Sequence, residues 1–252
     1  MKKILAALAA AALTLSMSGC FSTGTDNAMA DYDFKSMNTD FVQLREPSEG
    51  DTIAIIDTDY GEIRVVLYED YAPNTTAAFI QHAKNGDYDN MPVYGVLSGS
   101  YFMTGGRENA RGAYTGRSDD SELIANECTP DLWPFTGALM SYSEKTGYGD
   151  ARWLICDSDK ENITEDSINE LKDSVANRED ETERANLLYL FDKFYEVGGV
   201  FGAAGYTTVF GQTYEGLDVV EKLCSIPAEN NGRASVDVYI KSVTISVYSS
   251  EE

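Results

Sequence analysis

Residues 92–106 read PVYGVLSGSYFMTGG. β-Branched and aromatic residues dominate this stretch and favour two short apolar strands that break near residues 98–100. The stretch closes on Gly105 and Gly106, and paired glycines after an apolar run indicate a bend or a close approach of two backbones. The pattern predicts a pair of buried strands, and the segments on either side decide whether it also carries a function.

The composition is that of a globular protein. The chain has 252 residues, enough for one or two domains, and 43% of them are hydrophobic, which is enough for a real core. The formal net charge of -23 disfavours nucleic acid and anionic lipid surfaces as partners, because phosphate binding needs clustered Lys and Arg. The excess of acidic residues indicates a well-solvated surface.

Residues 1–20 resemble the signal of a bacterial lipoprotein. A basic start precedes an apolar run over residues 4–15 that is too short to span a bilayer, and small residues then lead to Cys20. Met17 departs from the usual motif, where Leu is commoner. Cleavage would leave acyl chains on Cys20 that anchor the protein to the extracytoplasmic face of the bacterial cell membrane. The alternative is a plain secretory signal, with Cys20 free or in a disulfide.

Residues 21–50 are rich in Ser, Thr, Asp, Asn and Met without a sustained period, which predicts a flexible tether. The folded domain is expected over residues 51–250. Three cysteines remain beyond Cys20, and an odd count precludes a fully paired framework. Cys156 lies in an apolar strand and is expected to be a buried thiol. Whether Cys128 pairs with Cys156 or Cys224 stays open.

The first folded unit begins with a β-hairpin. Residues 51–57 and 62–68 alternate apolar and polar side chains around TDYG at 58–61. A helix follows, with Pro73 near its start and Gly86 just past its end. The only histidine of the chain, His82, lies on this helix and is expected at the surface.

A single histidine excludes several classes of enzyme. It leaves no second base for a Ser-His-Asp or Cys-His triad, and a zinc site built on histidines is out of reach. A phosphate-binding loop and a dinucleotide-binding glycine turn are both missing from the sequence. Paired acids for sugar hydrolysis stay possible, since there are 42 acidic residues to draw from. The sequence predicts no cofactor and no metal.

The order of the motifs resembles the cyclophilin-type peptidyl-prolyl cis-trans isomerases. The resemblance rests on YGEIRVVLYEDYAPNT from residue 60, NGDYD at 85–89, TPDL at 129–132, VFGQ at 209–212 and EGLDVVEKL at 215–223. It covers most of residues 51–250. It implies a mainly β fold, a closed eight-stranded antiparallel barrel capped by two helices, with an outer groove for extended proline-containing peptides of secreted proteins.

A charged helical insertion is predicted over about residues 157–199. Its second apolar stripe, over residues 187–194, is denser than its first and is ended by Gly198 and Gly199. The insertion either packs on the barrel or presents a surface to a partner. Packing is favoured, because the second stripe is too apolar to stay in water.

The resemblance also implies a mechanism. Rotation of an X-Pro amide is opposed by a barrier of roughly 18–20 kcal/mol, which falls if the twisted state is favoured over both planar ones. In the family, an apolar pocket holds the proline ring and an arginine donates a hydrogen bond to the imide nitrogen. A donor aimed at charge that develops in the transition state is worth about 2.7–4 kcal/mol.

The chain departs from the family pattern at the groove. Gly95 stands at the position of the catalytic arginine, Thr104 at that of a glutamine, and Tyr142 beside the groove in place of a small residue. The family's tryptophan, pocket leucine and histidine are missing from residues 202–207. Arg152 replaces a glutamine on a groove strand and is the candidate relocated donor. Alternatively, Arg152 pairs with a carboxylate and does no chemistry.

Two functions stay open. The first is a membrane-tethered isomerase of secreted chains, weak because the family arginine is absent, with Arg152 as the cation and Phe102, Met103 and Leu154 lining the pocket. The second is a non-catalytic lipoprotein that binds a peptide, a cell-wall component or a protein partner through aromatic side chains, Tyr206 among them. The predicted groove comprises Tyr94, Gly95, Tyr101, Phe102, Met103, Thr104, Tyr142, Leu154, Ala203 and Thr207.

Overall fold

The computed structural model describes residue 29 and residues 32–108, 114–115, 123–157, 163–229 and 232–250. The predicted signal and Cys20 lie outside this part of the chain. The elements in chain order are β1 (Thr52–Thr58), β2 (Gly61–Leu67), α1 (Pro73–Asn85), β3 (Met91–Pro92), β4 (Gly95–Leu97), β5 (Tyr101–Gly105), β6 (Arg107–Glu108), β7 (Tyr114–Thr115), β8 (Ile124–Ala125), β9 (Ala138–Tyr142), β10 (Tyr148–Gly149), β11 (Arg152–Cys156), α2 (Glu165–Val175), α3 (Glu181–Val197), β12 (Val209–Glu215), α4 (Leu217–Cys224) and β13 (Tyr239–Val247).

Nine of the strands form one antiparallel sheet that curls into an open half-barrel, in the order β3-β13-β1-β2-β12-β9-β11-β5-β4. The prediction of a closed eight-stranded barrel is therefore wrong. The two edge strands, β3 and β4, are only two and three residues long and are joined by Val93 and Tyr94. Pro92 ends β3 and has no N–H to donate, and the Val93 N–H makes the next hydrogen bond to this neighbouring segment, to the Val238 carbonyl at 2.8 Å.

The hairpin predicted around residues 58–61 is observed. Thr58 pairs with Gly61, and the Thr58 hydroxyl accepts a hydrogen bond from the Tyr60 N–H at 3.0 Å while donating to the Gly61 carbonyl at 2.7 Å. Gly61 has a φ of 131°, a conformation that side chains disfavour. The inward-facing side chains of the two strands, Ala54, Ile56, Ile63 and Val65, are buried in the inner core.

Helices α1 and α4 cover the inner face of the sheet. Helix α1 starts at Pro73, ends at Asn85 and is capped by Gly86, which is left-handed with a φ of 74°. Its buried Phe79 lies 5.9 Å from the ring of Trp153 on β11. Helix α4 contributes Leu223, which is fully buried in the same core. This core joins the two helices predicted from the sequence to the sheet.

Helices α2 and α3 occupy the stretch predicted as an insertion. Thr164 and Ser167 form a capping box at the start of α2, and the Asp180 side chain accepts the Glu183 N–H at the start of α3. The apolar stripe of α3 is buried in a second core that includes Phe135. The insertion therefore packs against the domain.

The segment before β1 belongs to this second core. Phe34, Met37 and Phe41 are buried in it, and the Phe34 ring stacks on Trp133 at 6.4 Å. The buried Gln43 side chain accepts the Trp133 N–H at 2.6 Å and donates to the Trp133 carbonyl at 2.8 Å. Residues 32–44 are thus folded onto the domain, which corrects the prediction of a flexible tether for this part of residues 21–50.

Cys128, Cys156 and Cys224 are free thiols, and Cys156 is buried as expected. The described residues contain no cluster of three or more His, Cys, Asp or Glu side chains that could hold a metal ion. They also contain no helix with the length and hydropathy needed to cross a bilayer.

Candidate active site

A row of apolar side chains crosses the outer face of the sheet. Leu154 on β11 pairs with Met103 on β5 and with Met140 on β9. The row continues to Gly95 at one end and to Val209 at the other. Because side chains alternate along a strand, the residues before and after each of these positions on the same strand point into the inner core. The register therefore sets one continuous apolar surface outside the sheet.

Two partly exposed tyrosines and one buried alanine flank this row. Tyr101 and Tyr142, together with the partly exposed Met103 of the row itself, form its rim, and Ala203 is buried against it. Leu154 and Met140 lie beneath and are almost inaccessible. Five of the predicted groove residues are thus brought together: Tyr101, Met103, Tyr142, Leu154 and Ala203. Met140 was missed, although it precedes Tyr142 by two residues and must share its face.

Phe102 and Thr104 do not line this groove. The Phe102 ring is fully buried in the inner core, 6.2 Å from Trp153. The Thr104 hydroxyl is also buried and donates to the Pro92 carbonyl at 2.8 Å. Both predictions were wrong because Phe102 and Thr104 flank Met103, and neighbours along a strand face opposite ways.

Gly95 lies against Met103. A Cβ on Gly95 would come within 2.7 Å of the Met103 ε-methyl and 3.1 Å of its Cβ. The thioether side chain thus fills the space where any larger side chain on Gly95 would begin. This part of the rim is apolar and contains no cation.

The neighbouring row contains Arg152, which pairs with Tyr142 on β9. Its guanidinium binds Asp150 at two points, from Nε to Oδ1 at 3.0 Å and from Nη2 to Oδ2 at 2.7 Å. Nη1 donates to Glu144 Oε1 at 3.2 Å, and the Tyr142 ring centre lies 4.7 Å from Cζ. These bonds use three of the five N–H groups of the guanidinium.

The two carboxylates differ greatly in exposure. The Arg152 side chain is 5% exposed and that of Asp150 only 1%, whereas that of Glu144 is 71% exposed. Burial lowers the pKa of Arg152, but the hydrogen bond and charge of Asp150 raise this pKa by more, so the guanidinium stays charged. Losing one partner of a buried pair costs about 3–5 kcal/mol, whereas an exposed pair contributes about 0–1 kcal/mol.

The pairing of Arg152 with a carboxylate was foreseen as an alternative, but Asp150 and Glu144 were not named. Asp150 could have been found, because it precedes Arg152 by two residues and the Arg152 backbone N–H also donates to Asp150 Oδ1 at 2.9 Å. Glu144 lies on the loop between β9 and β10, whose course the sequence does not specify. Tyr94 is partly buried, and its hydroxyl is close enough to raise the pKa of Arg152.

Residues 201–208, called the groove wall below, lie against β9 and Trp133. The Thr207 hydroxyl donates to the Ser141 carbonyl on β9, and the Asn126 side chain donates to the Tyr206 carbonyl at 2.6 Å. The Phe201 ring stacks on Trp133 at 6.4 Å. Thr207 therefore fixes the wall through its hydrogen bond, while the second core supports the wall from behind.

A family model described as "Cyclophilin type peptidyl-prolyl cis-trans isomerase/CLD" matches residues 53–245, well over half of the chain. The chain belongs to the cyclophilin family. This confirms the resemblance drawn from the sequence motifs.

Relatives and solved structures agree with this family. A protein of Staphylococcus saprophyticus named "Putative peptidyl-prolyl cis-trans isomerase" is 25% identical over 208 residues, covering 82% of this chain and 98% of its own. A Staphylococcus epidermidis protein of the same name is 23% identical over 208 residues, with the same coverage. The crystal structure of a Cryptosporidium parvum cyclophilin type isomerase aligns with a TM-score of 0.54 at 15% identity, covering 79% of this chain and 99% of its own.

This cyclophilin also has a cleft of about 220 Å³ beside the paired glycines, away from the groove row. His82, Asp87, Tyr88, Met91, Gly106, Arg107 and Ala151 line it. His82, expected at the surface, is mostly buried here, and its Nδ1 lies 2.8 Å from Asp87 Oδ2. The pair joins the end of α1 to the turn that follows it.

Proposed function

We propose that this chain is a weak cyclophilin-type peptidyl-prolyl cis-trans isomerase whose hydrogen-bond donor is Arg152. The observation that supports this proposal is the strand register, which sets Arg152 and Tyr142 directly beside the apolar row of Met103, Leu154 and Met140. A proline ring resting on the partly exposed side chains of Met103 and Tyr142 would bring its imide nitrogen towards the guanidinium. No covalent step is needed, because catalysis requires only that the twisted amide be bound better than the planar ones.

The activity is expected to be weak for two reasons. Arg152 already donates three N–H groups to carboxylates, so less of its charge is available to the imide nitrogen. The apolar area open to a substrate is also small, because Leu154 and Met140 are almost inaccessible beneath the rim. The proline ring must then be bound mainly by the side chains of Met103, Tyr101 and Tyr142.

A coupled-protease assay on X-Pro tetrapeptides tests the role of Arg152. Arg152→Ala alone would leave Asp150 buried without its partner, so the informative variant is Arg152→Met with Asp150→Asn, checked for folding by thermal melting. We expect kcat/KM to fall at least tenfold, since an aimed donor is worth up to about 2.7–4 kcal/mol. Arg45→Ala, which removes an arginine from an exposed ion pair with Asp40, should keep the wild-type rate. Equal rates in the double variant and the wild type would refute the donor role.

A second candidate function is peptide binding without catalysis. It is favoured by the Met103 side chain over Gly95, which leaves that edge of the rim without a donor. Under this alternative, proline-containing peptides bind the wild type in calorimetry while the cis-trans rate stays at the level of buffer. A measurable rate would rule this candidate out.

The place of action is part of the proposal. The sequence of residues 1–20 supports a lipid anchor on Cys20 at the extracytoplasmic face of a bacterial membrane, with secreted chains as substrates. Expressed in bacteria, the full chain should appear in the membrane fraction and incorporate labelled fatty acid, and Cys20→Ser should abolish both. Membrane retention of the Cys20→Ser variant would contradict the anchor.

A further inference from the structure

We infer that Glu144 competes with the substrate for Arg152 and thereby sets the activity of the groove, an inference that rests on the proposed isomerase function. In the free protein the Glu144 carboxylate takes a hydrogen bond from Nη1 of Arg152. A bound peptide displaces Glu144 and takes over this donor. Glu144 is thus a regulatory residue that acts through Arg152.

The exposures decide which carboxylate can leave. The Asp150 side chain is 1% exposed and accepts hydrogen bonds from both Nε and Nη2 of Arg152. Displacing it would therefore leave two buried charges without their partners. Glu144 faces solvent and makes a single, longer bond to Nη1, so water can replace its protein contact at little cost. Asp150 therefore fixes the guanidinium, and Glu144 is the movable partner.

The loop that carries Glu144 suits this exchange. Its turn is closed by the Tyr148 N–H, which donates to the Lys145 carbonyl at 3.1 Å, and the Lys145 ammonium lies 3.9 Å above the Tyr148 ring. The Ser143 hydroxyl accepts the Lys145 N–H at 3.1 Å. These contacts hold the backbone while leaving the Glu144 side chain free to rotate away, so no loop rearrangement is needed.

Charge indicates what can replace Glu144. With Glu144 gone, Arg152 and Asp150 form a neutral pair, and the Nη1 N–H can donate to an uncharged imide nitrogen or carbonyl oxygen. An acidic peptide side chain is disfavoured by the net charge of -23. The exchange therefore suits the amide groups of an X-Pro peptide.

The test compares isomerase kcat/KM of the wild type with Glu144→Gln and Glu144→Ala. We expect both variants to gain about three- to tenfold, and the gain to vanish when Arg152→Met and Asp150→Asn are also present. Raising the salt concentration should increase the wild-type rate by screening the exposed pair and should leave Glu144→Ala nearly unchanged. Glu221→Gln on α4 makes the same charge change at another exposed site and should behave as the wild type.

The outcomes separate this inference from the proposed function. If Glu144→Ala matches the wild type while the Arg152 and Asp150 variant is impaired, the inference fails and the isomerase proposal stands. An equal gain in Glu221→Gln would also overturn the inference, since it would reduce the effect to net charge. Activity in Glu144→Ala but not in the wild type would support it most strongly. Rates at the level of buffer in every variant would overturn both.

Discussion

Gly95 on β4 pairs with Met103 on β5 and lies directly against its side chain. We expect Gly95→Ala to lower the free energy of unfolding by about 1 kcal/mol, because the new Cβ would lie within 2.7 Å of the flexible Met103 methyl. In a Met103→Ala background the same substitution should cost clearly less, because the 2.7 Å contact with the methyl is gone and only the 3.1 Å contact with the Cβ remains. Urea unfolding of the four proteins gives the coupling energy.

Gly147→Ala provides the control for this cycle. Gly147 has a φ of 80° and open space around it, so its substitution strains the backbone without touching Met103. Its cost should therefore be the same with and without Met103→Ala. A Gly95→Ala cost that does not change with Met103 would show that the thioether is not what occupies the space.

Cys128 lies behind the groove wall, with its thiol donating to the Thr207 carbonyl at 3.3 Å. Burial raises the pKa of Cys128 to about 11, and a hydrogen bond with Tyr32 lowers it in part. In a Cys20→Ser background, alkylation of Cys128 should reach half its maximal rate near pH 11, whereas in urea it should do so near the ordinary pKa of about 8.5. Mass spectrometry identifies the modified site.

The raised pKa of Cys128 also makes the free energy of unfolding depend on pH. The folded protein holds the thiol proton more tightly than the unfolded chain, so this contribution is fully present below about pH 8.5 and declines as the pH rises towards 11. Replacing Cys128 with Ser should flatten this part of the stability curve. Rapid alkylation of Cys128 at pH 8 in the native protein would contradict the assigned burial.

Side-chain direction was predictable from the sequence where a strand could be placed, and partners across loops were not. Alternation along residues 101–105 was enough to assign Met103 outwards and Phe102 inwards, but the family comparison grouped the two residues together. The bond between Glu144 and Arg152 depends on the path of a turn that no periodic pattern specifies.

The segment over residues 32–44 is the element whose role differs most from its sequence pattern. We expect Phe41→Ala to lower the free energy of unfolding by about 3 kcal/mol or more, because its buried ring lies 5.4 Å from Phe135. A chain that starts at residue 51 should lose at least as much stability as this variant, relative to one that starts at residue 32. Denaturant titration measures both.

Tyr195→Ala serves as the control because this side chain is 53% exposed on α3. It should change stability by less than about 0.5 kcal/mol. If the chain starting at residue 51 proved as stable as the longer one, residues 32–44 would be a tether after all.

The regular elements were largely readable from the sequence for physical reasons. Alternation and a turn signal specified β1 and β2, and Pro73 and Gly86 marked the ends of α1. The apolar residues Phe34, Met37 and Phe41 are spaced three and four residues apart, as on one face of a helix, but the backbone over residues 34–41 forms turns and bends, with a short 3-10 helix only at Val42–Leu44. Their burial depends on α3 and Trp133, far away in the sequence, which is why composition alone indicated a tether.

At the scale of the whole molecule, the family and the order of elements were predictable, and the closure of the sheet was not. Residues 92–95 donate one backbone hydrogen bond to each side, from Val93 to the Val238 carbonyl and from Tyr94 to the Met103 carbonyl, but β3 and β4 are separate strands of two and three residues, so the sheet order ends at them. The second core was also unforeseen as a unit, because it joins three separate parts of the chain. It supports the groove wall through the contact of Trp133 with Phe201.

The most direct test of the groove and its donor is NMR exchange spectroscopy on an X-Pro peptide, with methyl-labelled methionines in the protein. The wild type should produce cis-trans exchange peaks in the peptide and shift the methyl signals of Met103 and Met140. The variant with Arg152→Met and Asp150→Asn should keep the methyl shifts and lose most of the exchange. Undiminished exchange in that variant, or exchange without any shift of the two methyl signals, would contradict the assignment of this surface as the active site.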